Sequence, residues 1–274
     1  MAHRTIKLLT GIPRSGTTLC CYLLNEYPNT VALHEPISPE LFDGRSDPVE
    51  VIEDCAIAFR ETLLKAGTAV SKQLDGKIPS NPVSGDSFFD RKESVSLGEI
   101  SPDKPLTPDF VLAIKHNALF TAFLPELQQR FEVFCIVRNP LPVLASWQSI
   151  DLPVSRGTIP MAERFDSDLS LELAQADSLA SKHLLILRWF YDRFRNQAGL
   201  IRYEDVIVSG GGNLAMVAGE SCDVSDKLSS QYGSGGVAPE HLKNLADQLL
   251  QNPEVYRGFY SEGDILGQLE DMLD

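Results

Sequence analysis

Four short apolar segments of this chain are each followed by residues that can bind an anion or move a proton. The residues concerned are 11–18 (GIPRSGTT) after the first segment, His34-Glu35 after the second, Lys115-His116 after the third and Arg138-Asn139 after the fourth. Arginine and lysine bind anionic groups, and glutamate or histidine can act as a general base. The sequence therefore predicts an anion site with a proton acceptor beside it.

Alternating strands and helices must bring these four groups together. Apolar runs predict strands at residues 5–9, 31–33, 109–114, 131–137 and 199–203. Helical periodicity predicts helices at residues 16–26, 48–66, 120–129, 141–150, 169–195, 239–250 and 263–273. This alternation is typical of an α/β fold with a three-layer arrangement, a parallel sheet with helices on both faces. Ligands of such folds bind beyond the carboxyl ends of the strands, where all four groups fall.

We interpret residues 1–274 as a single domain with one large excursion. Residues 67–108 interrupt the periodic pattern and hold too few apolar residues for their own core, so we expect a lid or insertion there. Residues 207–274 are expected to form a helical, acidic C-terminal part. The stretch 203–274 holds 13 acidic and 3 basic residues, and so carries most of the net charge of −14.

The composition limits the classes of partner. A net charge of −14 excludes a protein that binds nucleic acid over a wide surface, but not one small basic pocket. Five cysteines without a Cys-x-x-Cys pair predict reduced thiols and a cytoplasmic location. We expect no signal peptide and no membrane span. His3, His183 and His241 are isolated in the sequence, so no metal site is expected.

The first group, residues 10–18, joins a predicted strand to a predicted helix. Backbone N–H groups at such a turn, together with the helix dipole, bind anions. The two glycines have the G-x-x-x-x-G spacing of a phosphate-binding loop, but Thr17 stands where ATP- and GTP-hydrolysing proteins have their lysine. Arg14 inside the loop is the available cation. The loop therefore favours an anion other than a nucleoside triphosphate.

Residues 13–18, Pro-Arg-Ser-Gly-Thr-Thr, resemble the first loop of the sulfotransferases that use 3′-phosphoadenosine 5′-phosphosulfate (PAPS). The resemblance implies a P-loop NTPase-like sulfotransferase fold, with PAPS as co-substrate, 3′,5′-adenosine bisphosphate as product and no metal. It assigns Arg14 to the bridging oxygen of the phosphosulfate. Backbone and hydroxyl contacts to this group are assigned to Ser15, Gly16, Thr17 and Thr18.

A second stretch, residues 136–147, has the same strand–turn–helix pattern. It resembles the 3′-phosphate site of the same family, in which an Arg-(Asn or Asp)-Pro turn is followed by a serine eight residues after the arginine. The resemblance therefore assigns Arg138 and Ser146 to the 3′-phosphate. The planar guanidinium of an arginine is suited to bidentate contacts with phosphate.

A third stretch, residues 201–206 (IRYEDV), resembles an Arg-Tyr-Glu-Asp-Leu segment found late in many members. We expect it to be structural, as a final strand and the start of the next helix. The Arg-Lys-Gly motif that contacts adenosine in cytosolic animal members is absent from this sequence. Residues 229–235 lie where that loop would be.

Two residues compete for the role of general base. Glu35 matches in order the glutamate base of the tyrosylprotein-type enzymes, whose first loop is the most similar to residues 13–18. His116 resembles the histidine of the Lys-Thr-His motif in the cytosolic small-molecule enzymes, although one residue is missing between Lys115 and His116. We favour Glu35 and assign Lys115 to the transferring sulfuryl group.

These patterns predict a PAPS-dependent sulfotransferase that acts on a hydroxyl, or less readily an amine, of a small-molecule, glycan or peptide acceptor. Two alternatives remain open at this stage: a kinase-like phosphotransferase acting on a small molecule, and a catalytically inactive nucleotide-binding or scaffold protein. The acceptor pocket is expected to be built from residues 67–108, 151–166 and 229–236. The sequence identifies neither the acceptor nor the oligomeric state.

Overall fold

The computed structural model describes residues 2–85, 91–222, 228 and 237–274. This part of the chain contains ten strands, and five of them form one parallel sheet. In chain order, the strands of this described part are β1 Ile6–Gly11, β2 Thr30–His34, β3 Ala69–Gln73, β4 Val83–Ser84, β5 Arg91–Glu93, β6 Ser96–Ile100, β7 Val111–Lys115, β8 Glu132–Val137, β9 Ile150–Asp151 and β10 Leu200–Arg202.

Helices make up much of the rest of the described chain. The α-helices are α1 Thr17–Leu24, α2 Pro48–Ala66, α3 Asn117–Ala122, α4 Leu124–Leu127, α5 Pro140–Trp147, α6 Pro160–Glu163, α7 Ser167–Gln175, α8 Leu179–Phe194, α9 Tyr203–Val208, α10 Ala215–Ala218, α11 Pro239–Gln251 and α12 Glu262–Leu273. Short 3₁₀ helices occupy Ala2–Thr5, Pro39–Phe42, Pro153–Arg156, Gly212–Leu214 and Pro253–Val255.

The central sheet has the order β10-β8-β1-β7-β2, and every pair in it is parallel. Its strands are buried almost throughout, as expected for a parallel sheet flanked by helices. The predicted α/β class with a three-layer architecture is thus confirmed. After β1 the chain crosses to the β2 side, whereas after β8 it crosses to the β10 side. The crevice between the carboxyl ends of β1 and β8 is therefore the place where such sheets bind ligands.

The excursion at residues 67–108 contains more regular structure than the sequence indicated. Strands β3 and β6 form an antiparallel pair, and β4 and β5 form a second one. Strand β5 also pairs in parallel with β9 and is the central strand of that small sheet. The hydroxyl of Ser71 in β3 accepts a hydrogen bond from His34 N at 2.9 Å. The excursion is therefore attached to the carboxyl end of β2, at the edge of the central sheet.

Most elements lie where the sequence placed them, and the helix predicted at 48–66 has the observed bounds. The single helix predicted at 169–195 is wrong, because α7 and α8 are separate. Ser178 accepts a hydrogen bond from Ser181 N and so begins α8, while Asp166 caps α7 and accepts from Trp189 Nε1. Both helices bury one apolar face, so the periodicity continued across the break.

The cysteines and the helix lengths bear on two further expectations. All five cysteines are unpaired thiols, with Cys20, Cys21 and Cys135 buried and Cys55 and Cys222 half-buried. Burial raises the pKa of Cys135 to about 12. Among the described residues, the structure contains no helix that combines the length and the apolar character needed to span a membrane.

Candidate functional site

A cavity of about 730 Å³ lies at the carboxyl ends of the central strands. Its lining includes Arg14 after β1, Glu35 after β2, Lys115 and His116 at the end of β7, and Arg138 after β8. The four groups that the sequence singled out therefore open into one space. The volume falls in the usual range for small-molecule and cofactor sites, about 300–1,000 Å³.

The loop between β1 and α1 has a backbone conformation that few residues adopt. Gly16 has φ 86°, and a Cβ at this position would lie 2.3 Å from the ring of Tyr203, so only glycine fits. Arg14 has φ 72° although it is not a glycine. Trp147 Nε1 in α5 donates to Pro13 O at 2.9 Å and holds the loop in place. The strained backbone is thus fixed by contacts from two other elements.

Side chains of this loop differ in whether they reach the cavity. Thr17 and Thr18, at the start of α1, line it, and the first turn of a helix has N–H groups without intrahelical partners. Ser15 is fully buried, and its hydroxyl donates to Ile136 O at 3.2 Å. The hydroxyl of Ser15 therefore attaches the loop to the backbone of β8.

We call Arg14, Arg91 and Arg138 the guanidinium cluster. Arg14 Nε donates to Ser146 Oγ at 3.1 Å, and Arg14 Nη2 donates to Asn81 Oδ1 at 3.2 Å. Arg138 Nη1 donates to Arg14 O at 3.1 Å. Burial, together with the positive charges of Arg91 and Arg138, lowers the pKa of Arg14 to about 9. An anion bound among these side chains would relieve that repulsion.

The Arg138 turn is held by the segment that resembled Arg-Tyr-Glu-Asp. Glu204 accepts a hydrogen bond from Asn139 N at 2.9 Å, and Asn139 caps α5 through Leu141 N. Tyr203 places its ring 4.1 Å from the Arg138 guanidinium, within cation–π distance. The structural role expected for residues 201–206 is therefore observed in β10 and α9. Tyr203, however, also lines the cavity itself.

A second group, the lysine–carboxylate cluster, consists of Glu35, Lys115, Lys72 and Glu93. Lys115 Nζ lies 2.7 Å from Glu35 Oε1, and Lys72 Nζ lies 3.0 Å from Glu35 Oε2. Lys72 also bonds to Glu93 Oε1 at 2.7 Å. The side chain of Lys115 is 2% exposed and that of Glu35 is 22% exposed. Both oxygens of Glu35 are thus held by lysines from β7 and β3.

The charges around Glu35 keep its carboxyl group ionised. Burial opposes the charged form, but Lys115 and Lys72 outweigh it and hold the pKa of Glu35 well below its usual range. Conversely, Glu35 and Glu93 raise the pKa of Lys72 despite its partial burial. Glu35 also has φ 45°, a left-handed conformation that is uncommon outside glycine and is found at functional sites. The cluster is therefore neutralised internally.

Two histidines lie beside Glu35 and are uncharged. Burial is the main cause that lowers the pKa of His116 to about 3 and that of His34 to about 2. His116 Nε2 lies 3.1 Å from Ile37 N, which donates to it. The neutral ring therefore carries its proton on Nδ1.

The cavity residues that the sequence did not single out include Lys72, Asn81, Arg91 and Tyr203. Three of them belong to the excursion at 67–108, where no local pattern relates a residue to the carboxyl ends of distant strands. Tyr203 follows β10, the fifth strand of the sheet, and its position at a strand end was the available signal.

Two remaining expectations concern a metal site and residues 229–236. Within the described residues, no three or more His, Cys, Asp and Glu side chains are grouped so that they could hold a metal ion. Residues 229–236, which we expected near the acceptor and the adenosine, lie outside the described residues. Leu228 and Val237 on either side of them line the cavity.

Comparison with known proteins gave few matches. No protein-family model matches the chain, and no curated protein sequence matches it significantly. Among solved structures, a sulfotransferase from Alicyclobacillus acidocaldarius is similar with a TM-score of 0.39 and 12% identity, over 100% of this chain and 96% of that one. A sulfotransferase from Mycobacterium tuberculosis has a TM-score of 0.30 and 14% identity, over 98% of this chain and 76% of that one.

Proposed function

We propose that the chain is a PAPS-dependent sulfotransferase, which moves a sulfuryl group to a hydroxyl group and releases 3′,5′-adenosine bisphosphate. One observation carries the proposal: the guanidinium cluster and the Glu35–Lys115 ion pair line the same cavity. Sulfuryl transfer needs cations for an anionic donor and a base for the acceptor proton, and little else from the protein.

The guanidinium cluster is suited to the two anionic ends of the donor. Arg138 and Ser146 would bind the 3′-phosphate, and Arg14 with the backbone of residues 15–18 would bind the 5′-phosphosulfate. Support comes from the contacts among these groups, because Arg14 bonds to Ser146 and Arg138 bonds to the carbonyl of Arg14. Burial is the main cause of the lowered pKa of Arg14, and the positive charges of Arg91 and Arg138 lower it further, so a bound anion would stabilise the charged guanidinium.

In the reaction, the acceptor oxygen forms a bond to sulfur while the bond between sulfur and the phosphate oxygen breaks. Glu35 would take the proton of the acceptor hydroxyl, and the bisphosphate would leave with the electron pair of the broken bond. Lys115 would stabilise the transferring group from its position 2.7 Å from Glu35. A buried lysine beside the base supplies positive charge without a metal.

Glu35 is the better candidate for the base than His116. The lone pair on His116 Nε2 already accepts the hydrogen bond from Ile37 N, so its free nitrogen position is a donor. Glu35 is ionised and lines the cavity, and its two carboxylate oxygens form ion pairs with Lys72 and Lys115.

Nucleotide selectivity separates this proposal from the kinase-like alternative. We expect 3′,5′-adenosine bisphosphate to raise the melting temperature of the protein, because a ligand that binds only the folded state stabilises it. ATP with Mg²⁺ should raise it less, since Thr17 replaces the lysine that such a ligand requires. A larger shift with ATP–Mg²⁺ would favour the phosphotransferase. Binding of the bisphosphate without any sulfuryl transfer would favour an inactive nucleotide-binding protein.

A further inference from the structure

The lining of the cavity includes a set of charged residues and a set of apolar residues. The charged lining residues are Arg14, Glu35, Lys72, Arg91, Glu93, Lys115 and Arg138. The apolar wall, as we call it, is formed by Ile37, Leu119, Leu152, Val154, Ile159 and Met161. In the described part of the chain, segments 37–39, 117–119 and 152–161 contribute no charged side chain to the lining, and their polar members are Ser38, Asn117 and Thr158.

The apolar wall begins directly beside the proposed base. Ile37 is two residues from Glu35, and its N–H donates to His116 Nε2. Leu119 belongs to α3, which begins at the residue after His116. Two further apolar residues of the lining, Leu242 and Met272, belong to α11 and α12, and both of these helices pack against α5. An acceptor with its hydroxyl at Glu35 therefore meets the apolar wall.

Residues outside the cavity lining connect the segments that form the apolar wall. Arg164, directly after α6, donates to Pro39 O at 3.2 Å and forms an ion pair with Asp43 at 2.7 Å. Phe165 packs edge-on against Phe42 and Phe123, with centroid separations of 5.2 and 4.9 Å. The wall is thus a preformed surface, and a ligand that binds there needs no rearrangement of it.

We infer that the acceptor is an alcohol or phenol whose body next to the hydroxyl is uncharged and apolar. The inference rests on the proposed function and names the substrate class of the same site. A carboxylate or ammonium group placed against this wall would lose its hydration without gaining a partner, which is costly. An alkyl or aryl body would instead remove apolar surface from water on both sides.

A series of 4-alkylphenols, from methyl to butyl, tests the inference. The dissociation constant is measured by calorimetry with and without saturating 3′,5′-adenosine bisphosphate, and transfer is measured separately with sulfur-labelled PAPS. We expect each added methylene to tighten binding up to about fourfold, equivalent to about 0.8 kcal/mol per buried methylene. The charged comparator 3-(4-hydroxyphenyl)propanoate should bind more weakly than 4-butylphenol.

Substitutions at Met161 connect the effect to the apolar wall. Met161→Glu places a charge on a partly exposed wall residue and should abolish the dependence on chain length, while Met161→Leu should retain it. Met216→Glu adds the same charge on α10, where Met216 is 47% exposed and outside the cavity lining, and should change nothing. Unchanged bisphosphate affinity shows that each variant is folded.

The two readouts separate the possible failures. Affinity that does not change with chain length, or a propanoate that binds as tightly as 4-butylphenol, would overturn the inference whatever the transfer assay shows. The inference would also be overturned if the Met161→Glu variant kept the dependence on chain length. If affinity increased with the length of the alkyl chain but no label were transferred, the proposed function would be overturned, and an apolar ligand site beside Glu35 would remain.

Discussion

The guanidinium cluster and the lysine–carboxylate cluster line the same cavity but balance charge in opposite ways. In the guanidinium cluster the positive charges of Arg91 and Arg138 act on Arg14 and, after burial, contribute to its lowered pKa. Lys115 and Lys72 share Glu35, and Lys72 also bonds to Glu93. The first cluster has a surplus of positive charge, whereas the second is neutral within itself.

This difference indicates different tasks for the two clusters. A surplus of buried positive charge stabilises a bound anion, so removal of one arginine should affect ligand binding above all. A carboxylate held between two lysines stays ionised and oriented, so its removal should affect the reaction above all. Substitutions in the guanidinium cluster should therefore change ligand affinity above all, and substitutions in the lysine–carboxylate cluster should change the rate of the reaction above all.

The largest effect is expected from Glu35→Gln. The amide retains the shape of the side chain but cannot accept the acceptor proton, so kcat should fall about 10²- to 10⁴-fold. The affinity for 3′,5′-adenosine bisphosphate, measured by calorimetry, should stay near that of the unmodified protein. Glu99→Gln, at an exposed carboxylate in β6, is the matched control. Unchanged turnover in Glu35→Gln would remove Glu35 from the mechanism.

The second effect is the loss of donor affinity in Arg138→Ala. Hydrogen bonds to a charged group contribute about 1.5–3 kcal/mol, so bisphosphate affinity should fall about 10- to 150-fold. Arg156→Ala serves as the control, because Arg156 is exposed and pairs with Asp151 outside the cavity lining. If calorimetry gave equal affinities for the two variants, the 3′-phosphate role of Arg138 would be lost.

A smaller effect is expected in the pH profile of Lys72→Met. Lys72 helps to lower the pKa of Glu35, so its removal should raise that pKa and move the acid limb of kcat/KM to higher pH. Because the pKa of Glu35 is lower in the folded state than in the unfolded state, the ionised carboxylate stabilises the fold above its unfolded pKa. This stabilisation is lost as the pH falls through the folded pKa, and in the variant the loss should begin at a higher pH. Lys77→Met, at an exposed lysine of the same excursion, should keep the original profile. An unshifted limb in Lys72→Met would exclude electrostatic control of Glu35 by Lys72.

The smallest effect concerns the ring of Tyr203. Tyr203→Leu removes the cation–π contact with Arg138, which contributes about 0.5–1 kcal/mol, so bisphosphate affinity should fall about 2- to 5-fold. Tyr203→Phe keeps the ring and should bind normally. Equal losses in the two variants would mean that the hydroxyl group, and not the ring, positions Arg138.

The sequence predicted those parts of the site that adjoin strong local patterns. Arg14 and Arg138 each follow a buried apolar strand and precede a helix, so their meeting at one edge of the sheet could be expected. Lys72 and Arg91 could not be placed, because their contacts with the site join segments far apart in the chain. Lys72 lies 37 residues after Glu35 and meets it only because β3 is attached to the end of β2.

The extents of the helices show a similar limit. Periodicity located α2 from its first to its last residue, since Asp47 caps one end and Gly67 the other. It joined α7 and α8 into one helix, because the apolar faces of both are buried and only Ser178 marks the new start. Periodicity reports burial, and it does not report a change of direction between two buried helices.

One measurement tests the central claim most directly. Sulfur-labelled PAPS is incubated with the protein and a set of hydroxyl compounds that includes 4-butylphenol, and the labelled product and the released 3′,5′-adenosine bisphosphate are quantified together. We predict that the two are formed in equal amounts, and that Glu35→Gln binds the bisphosphate but forms both products about 10²- to 10⁴-fold more slowly. Bound bisphosphate with no transfer of label to any hydroxyl compound would contradict the account.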